Sequence, residues 1–124
     1  MKEKFKNKFF TADNKNRAYI NTKKLKTIWF NTGTLCNLSC KNCYIESSPK
    51  NDRLAYLSFE EFKTFLKESS DNNLGTENIG FTGGEPFMNK DIIKMIEYSL
   101  NKNFKTLVLT NAMKPMMNKK KRIV

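Results

Sequence analysis

Apolar and polar positions alternate along this chain in blocks that change period several times. Residues 27–31 (Thr-Ile-Trp-Phe-Asn) are β-branched and aromatic, and Thr32, Gly33 and Thr34 close the run, which predicts a short strand. Ser58-Phe59-Glu60-Glu61 is a capping box, so a helix is expected to start there, with Phe59, Phe62, Phe65 and Leu66 on one face. Residues 71–75 (Asp-Asn-Asn-Leu-Gly) stop it. Residues 77–82 (Glu-Asn-Ile-Gly-Phe-Thr) read as a second strand leading into Gly83-Gly84-Glu85. A second helix is predicted over residues 89–102, with Asn89 as N-cap and Ile92, Ile93, Ile96 and Leu100 buried. Residues 105–110 (Lys-Thr-Leu-Val-Leu-Thr) predict a third strand, and Leu107-Val108-Leu109 has the composition of a strand buried on both faces.

Strand, helix, strand, helix, strand is the order of an α/β fold with a parallel sheet and right-handed crossovers. In such a sheet the functional loops lie at the carboxyl edge. Residues 1–26 show neither period and read as a leader packing loosely on a core of residues 27–112. Residues 113–124 read as a basic tail, with neither a third helix nor a fourth strand in residues 118–124.

Composition narrows the function. A chain of 124 residues, 39% hydrophobic and 12% aromatic, is expected to form one small globular domain. The net charge of +11 invites a nucleic-acid partner. Against that, the lysines are spread along the whole chain and Arg17, Arg53 and Arg122 are the only arginines, so a solvated lysine surface is the favoured reading. No stretch is apolar enough for a membrane span, residues 1–10 carry charges where a signal peptide has its apolar run, and a cytoplasmic protein is expected.

The chemistry lies in one loop. Cys36, Cys40 and Cys43 are the three cysteines of the chain, and there is no histidine. A closed zinc cage takes four ligands, so it would need a carboxylate to complete it. A disulfide framework leaves one thiol over. Three closely spaced thiolates suit a 4Fe-4S cluster with three irons held and the fourth open. Free thiols also agree with a reducing compartment. Met113, Met116 and Met117 could suggest a soft metal site, but methionine more often fills gaps in a core.

The C-x-x-x-C-x-x-C spacing of Cys36, Cys40 and Cys43, followed by Gly83-Gly84-Glu85-Pro86 after a predicted strand, resembles the radical S-adenosylmethionine (radical SAM) enzymes over about residues 27–111. The resemblance implies a 4Fe-4S cluster on the three cysteines and S-adenosylmethionine chelated at the open iron. It also implies reductive cleavage to a 5'-deoxyadenosyl radical that takes a hydrogen atom from a substrate. It further implies that Gly83, Gly84 and Glu85 hold the methionine amino group of the cofactor. Thr110-Asn111-Ala112 resembles the family's threonine-asparagine-glycine turn, which places Asn111 near the methionine or ribose part. Many family members carry an aromatic residue just before the third cysteine; here that residue is Asn42, and the aromatic Tyr44 follows Cys43.

The family core is a partial (β/α)6 barrel, and this chain supplies about three of its strands, so it is expected to be a truncated, amino-terminal portion ending in the tail at 113–124. Two functions follow: generation of a 5'-deoxyadenosyl radical, or a catalytically incompetent iron-sulfur module. The expected partners are a small-molecule, peptide or other substrate and a reductant such as flavodoxin or ferredoxin. Self-association through an open sheet edge is also expected.

Overall fold

The structure is a computed structural model and describes residues 6–21 and 24–120. Three strands, β1 (Thr27–Asn31), β2 (Asn78–Thr82) and β3 (Lys105–Val108), form a parallel sheet in the order β1-β2-β3. Helix α1 (Phe59–Asp71) links β1 to β2, and α2 (Ile92–Asn101), preceded by a 3-10 turn at Pro86–Met88, links β2 to β3. Phe30 pairs with Phe81, which pairs with Val108, and Ile28 pairs with Ile79. Since side chains alternate across a strand, these residues share the face that α1 and α2 cover.

Between that face and the helices lies the core, built from Phe30, Ile79 and Phe81 of the sheet, Phe62 and Leu66 of α1, and Ile92 and Met95 of α2. Phe62 meets Phe30 edge-on with ring centroids 4.8 Å apart and lies 5.5 Å from Phe81, distances at which aromatic pairs add to the burial of their area.

The capping box forms as expected. The Glu61 amide donates to Ser58 Oγ (3.3 Å) and the Ser58 amide donates to the Glu61 carboxylate (2.8 Å). Ser58→Ala should lower stability by about 1 kcal/mol, seen as a fall of a few degrees in the thermal midpoint. Hydrogen bonds from the Ser58 hydroxyl and then its amide hold the Glu61 carboxyl below its ordinary range. A depressed folded pKa means that this contribution is complete above the ordinary carboxylate pKa and fades as the pH falls through the lowered one.

Four expectations are corrected. Phe65 is half-exposed although Phe59, Phe62 and Leu66 face inward, because it lies in an open groove beside β1, its ring centroid 6.2 Å from that of Phe30. Asn89 stands further ahead of α2 than expected. Pro86 opens a 3-10 turn that takes up residues 86–88, and the helix starts at Ile92; Asn89 Oδ1 still accepts from the Asp91 amide (2.8 Å), as a cap does, while its buried Nδ2 donates to the carbonyls of Thr32 (3.0 Å) and Leu57 (2.8 Å). On α2 the inward face is Ile92, Met95 and Ser99, while Leu100 is exposed. Strand β3 ends at Val108 and is buried on one face only, with Leu107 and Leu109 exposed. The Leu109 amide still donates to the Phe81 carbonyl (2.9 Å), so one ladder bond continues past the strand end.

A third helix, α3 (Lys114–Lys120), stands where the tail was expected to be without one. Met116 packs against the core, and Lys119 Nζ donates to the Asn89 carbonyl, so α3 lies over the 3-10 turn. The leader is exposed at Phe9, Tyr19 and Ile20 and makes a tight turn in which the Thr11 amide donates to the Lys15 carbonyl. No helix among the described residues is long and apolar enough to cross a membrane.

Among the described residues, no helix or strand covers the sheet face away from α1 and α2. Trp29 lies across Gly80, whose added Cβ would stand 2.3 Å from the indole ring, and Leu107 continues the row on β3. Trp29 and Leu107 are 47% and 54% exposed. A cavity of about 340 Å³ on this face is lined by Thr27, Trp29, Asn78, Gly80, Lys105 and Leu107. A larger groove of about 440 Å³ lies between β1 and α1, and no cysteine lines it.

Candidate functional site

Three loops leave the carboxyl edge of the sheet, and hydrogen bonds join them into one unit. The loop after β1 opens with Thr32 and Thr34, both buried. The Thr32 amide and hydroxyl donate to the Thr82 carbonyl (2.8 and 2.9 Å), and Thr34 Oγ1 accepts from the Leu54 amide (3.1 Å). A buried hydroxyl needs such a partner. The same loop carries the cysteines, and its base is closed by the Cys36 amide donating to the Ser48 carbonyl (3.2 Å).

All three thiols are free: Cys36 is buried, Cys43 half-buried and Cys40 exposed. Cys36 Sγ accepts from the Leu38 amide (3.4 Å) and Cys43 Sγ from the Ser47 amide (3.3 Å). The backbone amides of Ser47 and then Ile45 hold the Cys43 thiol below its ordinary pKa, which favours the thiolate, the form that ligates metal. Ser47 is buried, and its hydroxyl, beside the Cys43 thiol, adds to the lowering of that pKa. Among the described residues, no three histidine, cysteine, aspartate or glutamate side chains converge on a single metal-ion position. A cubane cluster does not require that, since each thiolate takes a different iron.

The loop after β2 lies against the loop after β1. The Gly84 amide donates to the Gly33 carbonyl (2.9 Å) and the Glu85 amide to the Leu35 carbonyl (3.0 Å). Gly83 adopts φ +134°, and a Cβ added there would stand 2.6 Å from the Gly33 oxygen. At Gly84 it would stand 2.3 Å from the Leu35 oxygen. The two glycines therefore permit a close backbone approach, and what approaches is the backbone of the cysteine loop.

Glu85 is 2% exposed. Its Oε1 accepts from the Phe87 amide (3.0 Å) and the Thr110 hydroxyl (2.8 Å), and its Oε2 from the same hydroxyl (2.9 Å) and the Asn111 amide (2.9 Å). The carboxylate thus fastens the loop after β3 to the loop after β2. Asn111 completes the ring of loops: its Nδ2 donates to Asn37 Oδ1 (3.0 Å) and toward Cys36 Sγ (3.7 Å). Cys36, Gly83, Gly84, Glu85 and Asn111 are brought together, with Cys40 and Cys43 on the same loop as Cys36. Asn42 and Tyr44 lie exposed. The linking roles of Thr110 and Asn37 were not foreseen, and the signal available was their polar character beside Asn111 and Cys36.

A three-cysteine loop at the carboxyl edge of a parallel α/β sheet, backed by a glycine turn and a buried glutamate, defines a class of α/β partial barrel. A family model of the Radical SAM superfamily matches residues 30–123, and the chain belongs to that superfamily. Its fold is that of a partial radical SAM barrel. It is similar to the antilisterial bacteriocin subtilosin biosynthesis protein AlbA of Bacillus subtilis (strain 168), 41% identical over 76 residues, which are 61% of this chain and 16% of that protein. The GTP 3',8-cyclase of Pasteurella multocida (strain Pm70) is 31% identical over 78 residues, 61% of this chain and 23% of that enzyme. The Fe-coproporphyrin III synthase of Methanosarcina barkeri (strain Fusaro / DSM 804) is 33% identical over 92 residues, 72% of this chain and 21% of the synthase. The chain spans less than a quarter of the length of each of these relatives.

Proposed function

We propose that Cys36, Cys40 and Cys43 hold three irons of a 4Fe-4S cluster and that S-adenosylmethionine binds at the fourth, bordered by Gly83, Gly84, Glu85 and Asn111. The observation that carries this reading is the placement of three free thiols on one loop, two of them already accepting N–H bonds, directly against the glycine turn. When bound, this pair supplies reductive cleavage to a 5'-deoxyadenosyl radical able to abstract a hydrogen atom from a substrate. The chain's part is to supply thiolates, to fix the cysteine loop through Gly84 and Glu85, and to present backbone groups of the glycine turn to the methionine amino group. Both oxygens of Glu85 already accept donors from the protein, so its contribution to that amino group runs through the turn it anchors.

The relatives' names differ in what they act on, and the proposal stops at a small-molecule or peptide substrate. The electron would come from a cytoplasmic donor such as flavodoxin or ferredoxin, and the net charge of +11 favours an acidic one.

Anaerobic reconstitution with ferrous iron and sulfide should give about four irons per chain, a charge-transfer absorption and, after dithionite, a paramagnetic signal. Adding S-adenosylmethionine should change that signal. Fewer than about three irons per chain would overturn the cluster reading, and an identical spectrum with and without the cofactor would overturn its binding.

A second reading, a cluster module that does not complete the chemistry, is favoured by the exposed face around Trp29. Among the described residues nothing covers that side, so they do not supply there the solvent exclusion that protects such a radical. The expected result for the purified monomer is no more than trace 5'-deoxyadenosine. Turnover at the rate of a full-length relative would dismiss this second reading.

A further inference from the structure

Asn111 stands out because every polar atom of its side chain, and its amide, is engaged within the protein. The amide donates to Glu85 Oε2 (2.9 Å), and Oδ1 accepts from the Met113 amide (3.1 Å) just before α3. Nδ2 divides its two hydrogens between Asn37 Oδ1 (3.0 Å) and Cys36 Sγ (3.7 Å). Four bonds on one short side chain and its backbone fix its orientation, so the donation toward sulfur is a held geometry. A contact with any bound molecule would have to replace one of these bonds.

The three thiols are not equivalent in this respect. Cys36 Sγ receives two donors, the Leu38 amide and Asn111 Nδ2, and Cys43 Sγ receives the Ser47 amide. Cys40, which is exposed, receives none among the described residues. Of these donors only Asn111 comes from outside the cysteine loop, across 75 residues of chain. Hydrogen bonds to a ligating sulfur favour the more electron-rich state of a cluster and so raise its reduction potential.

We propose that Asn111, held by Glu85 and Asn37, is a positioning residue that raises the reduction potential of a cluster bound at Cys36, so that the loop after β3 sets how readily the chain accepts an electron. This rests on the cluster reading above. Glu85 and Thr110 act one step further back: the carboxylate holds the Asn111 amide and the Thr110 hydroxyl, and with them the path of the loop that aims Nδ2.

The test uses the full chain, reconstituted, as wild type, Asn111→Ala and Asn111→Asp. Iron and sulfide are counted per chain, and the midpoint potential is read from the paramagnetic signal during reduction with dithionite. Asn111→Ala should retain the cluster with a ratio of reduced to oxidised cluster about tenfold lower at fixed solution potential, which for a one-electron couple is about 59 mV more negative. Asn111→Asp keeps an acceptor for the Met113 amide but replaces the donor by a charged acceptor, and its potential should fall further still. Should the alanine variant fail to assemble, the near-isosteric aspartate variant carries the comparison. An unchanged potential in a variant with full iron content overturns the proposal. Loss of iron with an unchanged potential in the remainder assigns Asn111 a purely structural role and overturns it equally. Failure of the wild type to take up iron is a separate result, which sinks the cluster reading itself and this inference with it.

Discussion

Replacing Cys36, Cys40 or Cys43 singly by alanine should reduce bound iron from about four per chain to close to none, because two thiolates are too few to hold a cubane. The three variants should differ without metal. Cys40 is exposed and receives no N–H bond among the described residues, so its loss leaves the apo fold as it was. Cys36 is buried and accepts from Leu38 and Asn111, so its truncation leaves two donors unpaired and costs about 1–3 kcal/mol for a buried one. Iron content by colorimetry and thermal unfolding by circular dichroism separate the two effects. Met117→Ala, at an exposed methionine of α3, is the control that should keep all its iron. A cysteine variant that kept full iron content would remove that cysteine from the ligand set.

Gly84→Ala should be as damaging to the site as a lost ligand, by a different route. Its new methyl group would stand 2.3 Å from the Leu35 carbonyl oxygen and 2.7 Å from the Thr34 oxygen. Both neighbours are backbone and cannot rotate away, so the loop after β2 must separate from the loop after β1. The bonds from the Gly84 and Glu85 amides to Gly33 and Leu35 would break with it. The cost should reach the upper end of the roughly 1–3 kcal/mol typical of overpacking, a fall in thermal midpoint on the order of 10 °C. Iron uptake should fall as well, since the base of the cysteine loop loses its support. An alanine variant with wild-type stability and iron content would mean that the two loops can part without consequence.

Features set by neighbours in sequence were legible before the fold was known. Ser58 and Glu61 are three residues apart and cap each other without help from the rest of the chain. Asp71, Asn72 and Asn73 ended α1 as local turn chemistry dictates. The cysteine spacing was likewise readable within eight residues of one loop. The burial of Asn89 was not legible, because the carbonyls that its Nδ2 reaches, those of Thr32 and Leu57, lie 57 and 32 residues away. The burial of β3 was misjudged for a related reason: Leu107 and Leu109 carry the composition of a two-sided strand, but one side has no covering element among the described residues. Helix α3 escaped notice because its seven residues hold few apolar positions, and what fixes it is the packing of Met116 and the reach of Lys119 to the 3-10 turn. Glu85 was expected to face a ligand, and its partners in Thr110 and Asn111 could be found only once β3 had been placed beside β2.

Trp29, lying across Gly80 on the exposed face, is the single tryptophan of the chain. Its emission is therefore an optical report from that face alone, with no second indole to correct for. Half-exposed, it should fluoresce at the long-wavelength end of the indole range, and any polypeptide that covered the sheet, a second copy of this chain included, would move the maximum to the blue. Assembly of a coloured cluster on the loop that follows β1 would instead dim the band by energy transfer without moving it. Colour and brightness would thus separate covering of the sheet from loading of the cysteines in one cuvette.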